Sequence, residues 1–244
     1  MTAARRFFVE GAKAPGDVVE LGGSDAHKIA HVLRLGAGDT IELIDSSART
    51  FSAALLDLGR VVRASVLAEQ APPAAPPMLT VDVAQAVPKG SRMDVVVEKG
   101  TELGVAAFLP FFCERSIGRG AGAERLARWR RIARGAAQQS RRTSVPDVHE
   151  TVAFEHLVAR FPDYDAVLFA WELAEPVPLA RRLQEVLPAA GRVLLVVGPE
   201  GGFTHGEAEM AMRSGGVTLS LGSRILRTDT AALVLLAVIG ALAS

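Results

Sequence analysis

The sequence predicts an α/β fold: a parallel sheet covered on both faces by helices, with a small β-rich domain ahead of it. Three observations carry this reading. After residue 78, short apolar runs alternate with longer stretches of helical periodicity, the pattern of strand–helix–strand units. Before residue 71 the runs are short and broken by turn residues, with a single helical stretch. Between them lies Ala71-Pro72-Pro73-Ala74-Ala75-Pro76-Pro77, where four prolines in seven residues forbid both helix and central strand. The expected domains are therefore 1–70, a linker at 71–77, and 78–244.

In the first domain, strands are expected at 6–10, 18–21, 40–45, 50–56 and 60–68. One helix is expected at 25–33, with Ser24 as its N-cap. That content predicts a small barrel. In the second domain, strands are expected at 79–86, 106–112, 166–171, 193–197 and 217–221, and helices at 91–103, 124–139, 178–187, 206–213 and 230–243. Alternation of this kind argues for a parallel sheet buried on both sides.

The chain of 244 residues has room for two modest cores. With 49% hydrophobic and 22% charged residues it is globular rather than disordered. Its one cysteine, Cys113, excludes an internal disulfide framework and fits a reducing cytoplasm. The apolar run at 7–9 is too short for a secretory signal. The run at 231–243 falls short of a bilayer span, so a buried helix is expected there and no membrane partner.

Basic and acidic residues balance at 27 each, yet between Cys113 and Ser144 nine arginines face only Glu114 and Glu124. Such a local excess in a neutral chain points to a polyanion, and arginine suits bidentate phosphate contacts. A solvated helix face accounts for the run equally well. On the helix at 124–139, Leu126, Trp129, Ala133 and Ala137 share one side, which puts Trp129 in the core rather than on a base-stacking platform. Arg128, Arg130, Arg131 and Arg134 occupy the rest of the circumference. His27 and His31 have metal-compatible spacing, but no third ligand or cysteine pair accompanies them, and no metal site is expected. Cys113 has no histidine partner in sequence and reads as a small buried residue.

The densest chemistry lies in the last fifth. Gly198-Pro199-Glu200-Gly201-Gly202-Phe203 follows the apolar run 193–197, and Leu221-Gly222-Ser223-Arg224-Ile225-Leu226-Arg227-Thr228-Asp229-Thr230-Ala231 follows the run 217–221. In open α/β sheets ligands sit beyond the carboxyl ends of strands, and glycines let the backbone approach them closely. Neither loop has the lysine–hydroxyl ending of a P-loop or the G-x-G-x-x-G spacing of a dinucleotide site. A nucleoside-type ligand held by backbone fits better. Each loop alone could be a helix entry; together with Arg224, Arg227 and Asp229 they read as a site.

These two loops, with Glu98-Lys99-Gly100-Thr101-Glu102-Leu103-Gly104-Val105, Glu114-Arg115-Ser116, Gln138-Gln139-Ser140-Arg141-Arg142 ahead of Val145-Pro146, and His31-Val32-Leu33-Arg34, resemble the bacterial 16S ribosomal RNA uracil-N3 methyltransferases. The likeness keeps the order of the motifs over nearly the whole chain. It implies a SPOUT-type enzyme that uses S-adenosylmethionine to methylate N3 of a uridine in 16S ribosomal RNA of the small subunit. It further implies a homodimer, a C-terminal trefoil knot that departs from the unknotted rule, and a PUA-like RNA-binding barrel in residues 1–70. The implied cofactor site comprises Phe169, Gly198, Pro199, Glu200, Gly201, Gly202, Leu221, Gly222, Ile225, Leu226, Arg227, Thr230 and Ala231. Arg227 and Arg115 would stabilise the uracil oxygens, with Glu200 or Asp229 as proton acceptor or orienter. Arg6, Arg34, Arg130, Arg131, Arg134, Arg141 and Arg142 would meet the RNA, in the cytoplasm and without a metal. Asp229 stands where glutamate is expected, and Cys113 where serine is common. A non-catalytic RNA-binding or ribosome-assembly factor that kept the fold is the competing reading; a small-molecule α/β enzyme would leave the arginine run unexplained.

Overall fold

The computed structural model describes residues 5–11, 13–71, 78–117 and 121–243. They form two compact units, Met1–Ala75 with Ala137–Ser144, and Pro76–Ala136 with Val145–Ser244. Of the expected linker, all but Ala71 lies outside the described residues.

The first unit contains β1 (Arg6–Phe8), β2 (Val18–Leu21), α1 (Gly23–His27), β3 (Thr40–Ile44), β4 (Thr50–Leu58) and β5 (Val62–Glu69). The strands order as β1-β3-β4-β5-β2, with β1 parallel to β3 and the other neighbours antiparallel. Register shifts between Ser52 and Ala53 and between Leu55 and Asp57 bend the long β4–β5 pair, as bulges do, and the sheet curls around its core. Phe7, Ile29, Ile41, Leu43, Phe51 and Val62 fill that core. The helix expected at 25–33 starts two residues earlier and divides: α1 passes into a π-helical turn at Lys28–Val32. Ser24 is not its cap. Gly22 holds the N-cap position with no side-chain hydrogen bond, and Gly23, at φ +56°, starts the helix one residue before Ser24.

The second unit contains β6 (Leu79–Ala86), α2 (Arg92–Glu102), β7 (Ala107–Phe112), α3 (Ala123–Gln139), β8 (Asp147–Val148), β9 (Val152–Ala153), α4 (Phe154–Val158), β10 (Ala166–Ala170), α5 (Leu179–Val186), β11 (Gly191–Val197), α6 (His205–Arg213), β12 (Gly216–Leu219) and α7 (Thr228–Leu242). Its sheet runs β12-β10-β11-β6-β7-β8, with β9 also on β7, and every pairing is parallel. Alternate strand residues enter two separate cores. Val193, Leu195 and Val197 of β11 meet Val96 of α2, Trp129 of α3 and Leu235 of α7 on one face. Leu194 and Val196 meet Phe154 of α4 and Ala208 and Ala211 of α6 on the other. Each large side chain so enclosed contributes about 1.5–3 kcal/mol by leaving water.

Trp129 is core, as the helical spacing predicts, at 1% exposure. One expectation about burial shifts. The run 217–221 is not a fully buried strand, because β12 is the sheet edge, Val217 and Thr218 are half-exposed, and the strand stops at Leu219. The short β8, β9 and α4 carry too few residues for a periodic signal and were not expected.

Candidate active site

The carboxyl ends of β10, β11 and β12 and the first turns of α7 enclose a cleft of about 500 Å³. β10 lies between the strands that carry the two glycine loops, and its end is pinned to β12 by the Trp171 N–H on the Leu219 carbonyl at 3.0 Å. The loop after β11 turns on a Gly202 N–H to Pro199 carbonyl bond of 2.9 Å, with Gly202 at φ +66°. A Cβ on Gly202 would overlap the Glu172 carboxylate, and one on Gly198 would come within 2.8 Å of the Phe203 ring. The loop is thus a bare backbone surface that larger residues would fill.

Arg115 holds this loop from outside, its Nη1 donating to the carbonyls of Gly201 at 2.9 Å and Phe203 at 3.4 Å. Its backbone neighbourhood is fixed in turn, since the Glu114 N–H bonds Glu207 of the α6 capping box at 2.8 Å. From beneath, buried Gln85 at the end of β6 donates from Nε2 to Thr228 Oγ1 at 2.8 Å, and that hydroxyl donates to the Gly198 carbonyl.

Of the residues expected at a cofactor site, Gly198, Pro199, Glu200, Gly202, Leu221, Gly222, Ile225, Leu226, Arg227 and Ala231 line this cleft. Gly201, Thr230 and Phe169 do not. Phe169 is fully buried on the α4/α6 side of β10, its ring 4.3 Å from that of Phe203, and it supports the loop from behind. Ile225, by contrast, is fully exposed at the mouth. Glu200 is engaged rather than open: it accepts from the Lys89 N–H at 3.0 Å and pairs with Arg92. Partial burial opposes its charge, but bonds from its own N–H, the Lys89 N–H and Arg92 prevail and hold the carboxyl below its ordinary value. Asp229 stands in the first turn of α7 but does not line the cleft, and its Oδ1 is buried with no hydrogen-bond partner. Arg227, the N-cap of α7, is exposed at the rim.

Sequence reasoning missed Glu172, Thr228 and Gln85. A polar residue ending the apolar run 79–86, and an acid just past the strand at 166–170, were the available signals.

The arginines expected at RNA divide by environment. Arg6 is committed within its unit, to Glu42 at 2.8 Å and to the Arg141 and Arg142 carbonyls. Burial pushes the half-buried Arg142 guanidinium below its ordinary value. Arg34 and Arg141 are exposed, both at positive φ. On α3, Arg130 donates to the Val148 carbonyl at 3.1 Å, Arg134 is half-buried, and Arg131 is exposed.

With this geometry in place, residues 75–240 match the RNA methyltransferase domain. The chain belongs to that family. Among its relatives, the ribosomal RNA small subunit methyltransferase E of Bacillus subtilis is 32% identical over 96% of this chain and 95% of its own. The protein of the same name from Mycobacterium bovis is 35% identical over 99% and 93%. A crystal structure of ribosomal RNA small subunit methyltransferase E from Neisseria gonorrhoeae, bound to S-adenosyl methionine, aligns with a TM-score of 0.85 at 31% identity over 97% of each chain. A Legionella pneumophila methyltransferase in complex with the cofactor SAM gives a TM-score of 0.87 at 28% identity over 98% of each. The methyltransferase domain therefore takes in the whole second unit save its last residues, together with part of the first. Among the described residues, no cluster of three or more metal-ligating side chains occurs, and no helix is long and apolar enough to cross a membrane.

Proposed function

We propose that the protein transfers the methyl group of S-adenosylmethionine to N3 of a uridine in the 16S RNA of the small ribosomal subunit. The observation that carries this reading is the cleft itself: two glycine-bearing loops present bare backbone and apolar walls at the carboxyl ends of β10, β11 and β12. A factor without a cofactor needs no such cradle. Gly198, Gly202, Leu221, Leu226 and Ala231 hold adenine and ribose by main chain.

S-adenosylmethionine supplies an already activated methyl group, so the protein's work is to orient the base and manage one proton. Uracil N3 bears a hydrogen, and its lone pair is spread over two carbonyls. Arg227, exposed at the rim, stabilises the oxygen that gains charge when that proton leaves. Glu200 is occupied by Arg92 and the Lys89 N–H, which suits it to orienting. Asp229 retains an unpartnered oxygen but stands outside the cleft lining, so it takes the proton through one bridging water. Arg115 acts on the base by fixing the loop, through Gly201 and Phe203.

We read the chain from β12 to α7 as a trefoil knot, which is supported by residues 220–227 lining one cleft with the ends of β10 and β11 and by the Thr228 bond to the Gly198 carbonyl. A homodimer covers the apolar outer side of α7, where Ala237, Gly240, Ala241 and Leu242 are exposed. The curled N-terminal sheet is a PUA-like module that, with Arg34, Arg131 and Arg141, engages RNA in the cytoplasm; residues 1–70, 71–77 and 78–244 are its domain, linker and catalytic domain. Mapping of methylated nucleotides in cells lacking the protein tests the reading: one 3-methyluridine in small-subunit RNA is lost. An unchanged map contradicts it.

A further inference from the structure

We infer that Glu172 holds the two ribose hydroxyls of the cofactor, and so selects a ribonucleoside for the cleft. The inference rests on the S-adenosylmethionine reading above and assigns a role to a residue that reading leaves unused.

Two carboxylates line the cleft, Glu172 and Glu200. Glu200 is taken by Arg92 and the Lys89 N–H. Glu172 has no ion pair or hydrogen bond among the described residues, although Arg224 and Arg227 line the same cleft. Its placement is fixed by the strand it follows. Ala170 ends β10, the middle strand of the three that open onto the cleft, and the Trp171 N–H is bonded to the Leu219 carbonyl. The next residue, Glu172, lies across the loop after β11, with its Oε1 where a Cβ of Gly202 would stand. Gly202 is also at φ +66°, a conformation that other residues rarely take. The carboxylate therefore occupies the slot that the glycine leaves open.

An ionised carboxylate is purely an acceptor, with two oxygens side by side. Its natural complement is a pair of adjacent hydroxyl donors, and a nucleoside offers such a pair in its ribose diol. An acid beyond a strand end meets ribose in the same way in dinucleotide-binding folds, on a different strand and with a different loop. The cleft also carries the hydroxyls of Ser220, Ser223 and Thr228, but those of Ser220 and Thr228 are bonded to the Gly222 N–H and the Gly198 carbonyl, and Glu172 is the lining carboxylate that has no partner among the described residues.

Calorimetry on the full-length protein decides the matter, using S-adenosylhomocysteine, 5′-methylthioadenosine and the 2′-deoxy form of the latter. Glu172→Gln keeps the shape of the side chain and Glu172→Ala removes it; unchanged thermal melting shows that each is folded. Both variants are expected to weaken S-adenosylhomocysteine and 5′-methylthioadenosine alike, by about tenfold or more. The wild type is expected to discriminate against the deoxy probe, and Glu172→Ala to lose that discrimination. Wild-type affinity in both variants overturns the assignment. So does a loss confined to S-adenosylhomocysteine, since the carboxylate then meets the amino-acid ammonium. If the wild type binds none of the probes, the cofactor reading itself fails, a result distinct from either.

Discussion

The Thr228 hydroxyl donates to the Gly198 carbonyl while accepting from Gln85 Nε2 at 2.8 Å, so one side chain ties the start of α7 to β6 and to the loop after β11. A hydroxyl has one proton to give, and the amide donor fixes where that proton points. Gln85 and Thr228 are both buried, which makes the tie costly to break. It joins the two walls between which the cofactor is proposed to sit.

Thr228→Val keeps the volume and removes the hydroxyl, leaving the Gly198 carbonyl without this donor and the Gln85 amide with only its Ala86 and Val197 carbonyl partners. It should cost about 1–3 kcal/mol of stability in denaturant unfolding and weaken S-adenosylhomocysteine in calorimetry. Thr228→Ser restores the relay and should recover most of both losses. Equal behaviour of the Val and Ser variants would show that the relay does not position the loop.

Arg227 and Arg115 should separate by kinetics. Arg227→Ala removes a group proposed to act only as charge develops, so methyl transfer falls by about a hundredfold or more while cofactor affinity holds. Arg115→Ala releases the carbonyls of Gly201 and Phe203, so cofactor affinity falls as well. Loss of cofactor binding in Arg227→Ala, with RNA binding intact, would contradict the role given to it.

Of the exposed α3 arginines, Arg128 is bonded to Asp94 and Arg130 to the Val148 carbonyl, whereas Arg131 has no such bond among the described residues. RNA affinity should fall steeply with salt, and Arg131→Glu should reduce the slope of log K against log salt by about one. A flat salt response in the wild type would remove the arginine helix from the RNA interface.

Tyr164 is the single tyrosine of the chain, and its hydroxyl donates to Asp82 at 2.9 Å. Burial, then the Asp82 carboxylate, push its pKa from 10.0 up to about 12, with Arg192 opposing. A near-ultraviolet absorbance titration should therefore show one late tyrosine transition in the native protein. Because the folded value is raised, the stability it confers is whole below pH 10.0 and is lost as pH rises towards about 12. An ordinary midpoint in the native state would mean that the Asp82–Tyr164 bond is absent in solution.

Much of the second unit was legible because its strands are buried on both faces. Such strands read as continuous apolar runs, and the expected strand at 79–86 coincides with β6. The helix at 124–139 begins one residue earlier, at Ala123, and Trp129 alone shows which side is inside. What stayed hidden depended on contacts distant in sequence. Glu200 looks like an available acid until Arg92 is found beside it. Phe169 looks like a ligand wall until side-chain alternation along β10 turns it to the other core. Gln85 and Thr228 stand 143 positions apart, so no local pattern joins them. The N-cap at Gly22 was missed because glycine offers no side chain to signal it.

The most direct measurement is transfer itself. Small-subunit particles or RNA lacking the modification are incubated with the protein and methyl-labelled S-adenosylmethionine, and the digested nucleosides are resolved by mass spectrometry. The label is expected in 3-methyluridine, at one position, and its rate of incorporation is expected to fall by about a hundredfold or more with Arg227→Ala. Label on another atom or base, or no label in RNA from a protein that binds the cofactor, would contradict the proposed reaction.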